Sequence, residues 1–149
     1  MKSILNPVEK NEIIERIEKL TSESKPLWGK MNVLQMLEHC TTSVKLALGE
    51  IKPELIKERL EFGIKAKPRV FETEEFGKSL PTSKEFLEFT EGDFDSKKSG
   101  LIYYINYYSN QNPESEVLHI HPILGDLNVK EWGILIRKHT NHHLEQFGV

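Results

Sequence analysis

An all-α fold, a bundle of helices in one domain over residues 1–149, is what this sequence predicts, and three observations carry it. Asparagines at 6, 32 and 128 each precede a run whose apolar residues return every three or four positions. Glycines and prolines stand between the runs, where helices stop. No two segments of alternating polarity are placed to pair as strands. A chain of 149 residues is also long enough to bury most of a core unaided.

The first helix opens at Asn6-Pro7-Val8-Glu9, with a capping residue, proline at the first helical position and glutamate at the third. Val8, Ile13, Ile14, Ile17 and Leu20 fall on roughly one face, and the pattern fades at Thr21-Ser22. Asn32-Val33-Leu34-Gln35 is a capping box. It opens a second helix with Val33, Met36, Leu37, Cys40, Val44 and Ala47 at helical spacing, closed by Gly49. A shorter helix is expected from Pro53 to near Gly63, because Pro68 lacks an amide hydrogen and stops anything longer.

From Pro68 to Gly92, with Gly77 and Pro81 between them, extended or irregular backbone is expected. This makes a long irregular crossover between the second and third main helices, of the kind that serves as a lid or packed cover. A third main helix starts at Asp93 or Asp95, with Phe94, Lys98, Leu101, Tyr104, Ile105 and Tyr108 at steps of three and four. Gly100 weakens that helix, and the β-propensity of the Leu101–Tyr108 run offers a strand instead, with nothing evident to pair with it. A polar loop, residues 110–116, leads to His119-Ile120-His121-Pro122 and Gly125-Asp126-Leu127. Asn128-Val129-Lys130-Glu131 is another capping box, opening a last helix to about Gln146.

Composition excludes more than it selects. Apolar residues make up 38% and charged residues 29%, both ordinary for a globular protein. A net charge of -3 gives no field that would attract nucleic acid or an anionic membrane. The Lys52 to Arg69 stretch sets six basic residues against Glu54, Glu58 and Glu61, a pattern of a solvated face without the interleaved aromatics of a strand-binding surface. Cys40 is the only cysteine, which excludes an intrachain disulfide. No stretch approaches the ~20 apolar residues of a membrane span, and residues 1–17 lack a signal-peptide pattern. A cytoplasmic protein with neither nucleic-acid nor membrane partners is therefore expected.

Chemistry concentrates in the last helix. Extending the stripe of Trp132, Leu135 and Ile136 gives His139 and then His143, an i, i+4 pair whose Cβ atoms stand ~5–6 Å apart. Two imidazoles so placed can converge on one ion. His39 lies beside the apolar stripe of the second helix, where a third ligand would be needed. Three neutral imidazoles leave a coordination position open, as catalytic rather than structural sites do. Spacing alone leaves other readings open. The pair can be a solvated last turn at a helix C-terminus, His142 can replace one of its members, and His39 can be a hydrogen-bonded core residue. The His-Glu-x-x-His pattern of zinc proteases is absent, since Thr140 occupies the glutamate position.

The ending Glu131-Trp132-Gly133, Lys138-His139, His142-His143-Leu144 and Gln146-Phe147-Gly148 resembles the C-terminal signature of a DinB-like family catalogued as domain of unknown function 1569. Trp28-Gly29-Lys30-Met31, Gln35-Met36-Leu37 with His39-Cys40, Leu80-Pro81-Thr82, and His121-Pro122 before Gly125 resemble it in the same order, so the likeness covers nearly the whole chain. The resemblance implies an up-down four-helix bundle with a divalent metal held by His39, His139 and His143. Relatives in the wider superfamily include transferases that use the metal to activate a low-molecular-weight thiol, and some metal-dependent isomerases and hydrolases. Imidazole donors suit zinc, nickel, iron or copper, with zinc or nickel expected first.

Other residues have two roles open to them. Cys40 stands about 100° round the helix from His39, so a small buried hydrophobe is favoured over a thiolate ligand or nucleophile. His121 either lines the pocket or, the favoured role, hydrogen-bonds the backbone; His119 is a weaker candidate. Trp28 and Trp132 are core anchors or covers of the bundle end, with Trp132 near enough the ligand stripe to line a pocket. Tyr104 and Tyr108 share the stripe of Leu101 and Ile105, so one of them, Tyr104 first, can reach a pocket with its hydroxyl, while the others suit a subunit interface in a homodimer. Glu38 and Glu145 point elsewhere on their helices. Two functions follow: a metal-dependent enzyme acting on a small-molecule substrate through a thiol or water, or a non-catalytic ligand-binding or structural bundle.

Overall fold

The computed structural model of the chain describes residues 1–76 and 82–149. Most of it is helix: α1 (Pro7–Glu18), α2 (Val33–Ala47), α3 (Lys57–Glu72), α4 (Phe94–Ser109) and α5 (Val129–Gln146), with one 3₁₀ turn at Lys84–Leu87. Two short strands, β1 (His119–His121) and β2 (Gly125–Leu127), pair antiparallel with His121 opposite Gly125. Among the described residues no helix is long and apolar enough to cross a membrane. Gly77, Leu80 and Pro81, which the sequence marks as part of the crossover and of one motif, lie outside the described residues.

Helix starts are set by side-chain caps that satisfy otherwise unpaired amides. Asn6 Oδ1 accepts from the Val8 N–H at 2.9 Å. Asn32 and Gln35 form a reciprocal box, at 2.9 and 3.0 Å, and Asn128 and Glu131 another, both bonds at 2.9 Å. Asp93, rather than Asp95, caps α4 by accepting from the Ser96 N–H at 2.8 Å. Gly49 ends α2 with φ +72°, a conformation that only glycine adopts without strain, and the Glu50 N–H turns back to the Lys45 carbonyl.

α1 and α2 each pack against both α4 and α5, so the core forms where apolar stripes from all of them meet. Ile13, Ile17, Met36, Leu37, Ile105 and Trp132 are wholly buried there. α3 stays outside, touching the ribbon. Only Gly63 of α3 is buried, and a Cβ there would stand 1.9 Å from the Ile123 carbonyl oxygen, so the close approach requires glycine.

Four expectations change. Val8 leaves the apolar face and is 75% exposed, in the first turn of α1. α3 begins at Lys57 and runs past Gly63 to Glu72 with Pro68 inside it. A proline there costs about 3 kcal/mol, and tertiary anchoring offsets the cost. Lys138 Nζ, reaching from α5, donates to the Val70 and Thr73 carbonyls and to Thr73 Oγ1 at 2.7, 2.8 and 2.9 Å. Lys67 pairs with Glu131 at 2.8 Å and donates to the Asp126 carbonyl. The crossover is accordingly helical at its start and carries the 3₁₀ turn before α4. The chain also has a small sheet, the β1–β2 ribbon, in a stretch that the sequence leaves irregular. α4 is helix, not strand, and a Cβ at Gly100 would meet nothing within 4 Å.

Replacing Asn128 with alanine should remove the α5 capping box and lower stability by about 1 kcal/mol, or about 2–4 °C in melting temperature for a domain of this size. Calorimetry of the variant tests this, and an unchanged melting temperature would mean that α5 does not depend on its box.

Candidate metal centre

Two packed helices build the site. α2 carries His39, and α5 carries His139 and His143 one turn apart, continuing inward from Trp132 and Ile136. Contact between α2 and α5 brings one ring nitrogen of each histidine within 4.8 Å of the other two. The ring centroids are 4.6 to 4.7 Å apart, and the Nε2 atoms of His39 and His139 approach to 2.9 Å. His39 and His143 are buried, with His139 half-buried between them.

Outer partners fix how two of the rings present themselves. The Phe86 carbonyl lies 3.1 Å from His39 Nδ1 and can only accept, so Nδ1 carries the proton and Nε2 the lone pair. Gln146 donates its Nε2 to the Trp28 carbonyl at 2.8 Å, which leaves Oε1 to accept from His143 Nδ1, also at 2.8 Å. His139 is different: among the described residues its buried Nδ1 has no hydrogen-bond partner. Its Nε2 is the atom that faces the other two rings.

Burial, the largest cause at each ring, holds all three imidazoles below their ordinary pKa. His143 is brought down to about 3, with repulsion from His39 adding to the effect, and His139 lies well below the usual value. Neutral imidazole is the form that ligates a metal. Phe86 walls the cluster, its ring 5.0 Å from His39 and 5.8 Å from His139, and Phe76 stands 6.3 Å from His139. Two nitrogens on one tetrahedral zinc ion, each at ~2.0–2.1 Å, stand about 3.4 Å apart. The three donors lie within 4.8 Å of one another, so they could hold a divalent cation after the rings draw together.

The structure distributes the remaining candidates around and away from this cluster. His142 lies beside it, 5.1 Å from His143 and 6.0 Å from Trp28, outside the converging set. His121 Nδ1 accepts from the Ile123 and Leu124 N–H groups, each at 3.1 Å, and burial brings the ring down to about 4. Trp132 is fully buried, donates to the His119 carbonyl at 2.9 Å and packs 5.4 Å from His121. Cys40 faces the core with Sγ 3.9 Å from Met36 Sδ, and burial pushes its thiol far up, which suits neither ligand nor nucleophile. Tyr104 is not at the histidines; its hydroxyl donates to Glu50 at 2.9 Å. Glu38 is engaged by Thr90 and Lys97.

Residues that sequence reasoning missed are Phe76, Phe86, Glu85 and Gln146. Gln146 stands three positions after His143, so the helical spacing that links His139 and His143 points to it too. The others come from the crossover, where no periodicity marks them. Comparison with protein-family models, with curated proteins and with solved structures gives no match to this chain.

The depressed imidazoles make stability depend on pH. In the unfolded chain they protonate near 6.5; folded, they stay neutral down to about 4 at His121 and about 3 at His143. The unfolded state therefore binds more protons below ~6.5, and stability of the metal-free protein falls as pH drops from there towards 4. Urea midpoints across that range should fall steadily, and His143→Gln should flatten the slope by roughly one proton. An identical slope in the variant would mean that His143 protonates as readily folded as unfolded.

Proposed function

We propose that this chain is a DinB-like four-helix bundle of the domain of unknown function 1569 family, and that it holds one divalent metal ion, zinc or nickel, at His39, His139 and His143. The observation that carries the reading is the convergence of three neutral imidazoles from two helices, two of them with Nδ1 occupied. A further support is the burial of all three rings, which keeps them in the neutral form that ligates a metal. The packing of α1 and α2 against α4 and α5 suits such a bundle, with α3 added on the crossover.

His39, His139 and His143 would hold a Lewis-acidic cation, whose chemistry would be to make a water molecule or a low-molecular-weight thiol nucleophilic near neutral pH. The chain's own groups do the rest. Phe86 and Phe76 exclude bulk water, and the Phe86 carbonyl and Gln146 keep two rings from turning. The reaction class this supports is transfer of a thiol to, or hydrolysis of, a small electrophilic substrate. A non-catalytic bundle is the second reading, favoured by the 2.9 Å contact between His39 and His139, which is also a plain hydrogen bond.

Elemental analysis of protein purified without a histidine tag decides between them. The metal reading expects about one zinc or nickel per chain. His139→Ala with His143→Ala should abolish uptake while far-ultraviolet circular dichroism stays helical. No uptake after incubation with either metal, together with a His39→Ala variant that only loses stability, would leave the structural reading standing.

A further inference from the structure

Two consecutive residues of α2 take hold of the crossover. Glu38 and His39 leave the helix about 100° apart, and each meets residues 84–90. The Phe86 carbonyl accepts from His39 Nδ1 at 3.1 Å. Four residues on, the Thr90 N–H donates to both Glu38 oxygens at 3.0 Å, and the Thr90 hydroxyl donates to Oε1 at 2.6 Å. Lys97, in the first turn of α4, completes the cluster. It reaches Glu38 Oε2 at 2.6 Å and the Thr90 carbonyl at 2.9 Å.

Little else keeps this stretch in place. Among the described residues no hydrogen bond between backbone groups joins residues 84–90 to another element; the Phe86 N–H stays local, on the Ser83 carbonyl. The Glu85 carboxylate accepts from the Glu54 N–H at 2.6 Å, and Lys84 pairs with the Glu54 side chain. Leu87 and Phe89 are 57% and 36% exposed, so Phe86 alone of the three apolar side chains here is sunk into the bundle. A cavity of about 340 Å³ lies between Phe89, Thr90 and the start of α2. A segment tied down by side chains, with space beneath it, opens at far lower cost than the core. Its place decides what opening does. The Phe86 ring stands 5.0 Å from His39 and 5.8 Å from His139. With the segment closed, His39 Nε2 is held as the lone-pair nitrogen facing His139. With it lifted, Nδ1 loses its acceptor and the ring is free to turn or change tautomer.

We propose that residues 84–90 are a strap over the triad, latched to Glu38 by Thr90, and that closing the strap and binding the metal favour each other. The Nδ1–H of an imidazole whose Nε2 binds a cation is the stronger donor, so the Phe86 carbonyl holds it more firmly. Linkage makes the effect reciprocal: whatever keeps the strap down raises the affinity for the ion by the same factor. Glu38 is thereby a positioning residue, acting on the site through the strap without touching the ion. The inference rests on the metal reading of the triad.

The test is hydrogen exchange of the full-length chain, read at single amides with and without zinc. The Phe86 and Thr90 amides report the closed strap, and zinc should slow both about 10-fold, the lower end of what such outer partners contribute to metal affinity. Thr90→Val keeps the side-chain volume and removes the hydroxyl that Glu38 accepts from. Competition with a chelator should show this variant holding zinc about 3- to 10-fold less tightly, and Thr90→Ser should restore the wild-type affinity. A latch that served only the fold would lower the melting temperature of Thr90→Val and leave its zinc affinity unchanged. Zinc uptake with unaltered exchange at both amides, or wild-type affinity in Thr90→Val, would overturn the strap. One arm needs no metal. In the metal-free protein Thr90→Val should speed exchange at Phe86, four residues away, while amides inside α2 and α4 stay protected. Unaltered exchange at Phe86 would show that the two contacts do not open together, and would overturn the strap even if zinc binds. Failure to take up zinc would instead overturn the metal reading, and the coupling with it.

Discussion

The apolar seam between α2 and α5 is what the rest of the site depends on. Met36, Cys40 and Val44 on α2, and Trp132, Ile136 and Leu144 on α5, are all wholly buried. Each large apolar side chain contributes about 1.5–3 kcal/mol on burial, so the seam closes with several times the free energy needed to dehydrate a neutral imidazole. Once it closes, His39 has nowhere to go except against His139 and His143. The imidazoles accept this because they enter neutral; as three cations within 4.8 Å they would open the seam again. Depressed pKa values are therefore the electrostatic signature of the same packing that assembles the cluster.

α5 acts as a hub through three consecutive residues that leave it about 100° apart. Arg137, 4% exposed, reaches Glu9 at 2.9 Å and Glu12 at 3.2 Å on α1. Lys138 turns to the end of α3, where the carbonyl-rich C-terminus favours a cation. His139 meets α2. Two buried cations adjoin a site that needs neutral donors, and each is drawn away by partners on another helix. This explains how a long, exposed α3 with an internal proline stays in place: its last carbonyls are bound by the helix that carries His139 and His143.

What could be read from the sequence was what is local. The caps at Asn6, Asn32, Asp93 and Asn128 depend on residues two or three positions apart, and the His139–His143 pair on residues four apart; both lie within reach of spacing arguments. His39 was accessible one step further, through the stripe it borders. The parts that escaped are those decided at long range. Pro68 stops a helix by every local rule, and only the Lys138 ammonium, 68 residues from Val70, shows why it does not here. Val8 looks like part of a stripe until the position of α5 is known. Phe86 is bonded through its carbonyl to a histidine 47 residues away, and no pattern in the crossover announces it.

That division has a functional consequence. The three imidazoles come from two long helices whose geometry is set by a close-packed seam, so their spacing is hard to alter without losing the core. The wall of the site, Phe76 and Phe86, comes from the crossover. Sequence change there is tolerated far better than in the helices. A fold arranged this way can keep the imidazole cluster constant while the wall beside it changes.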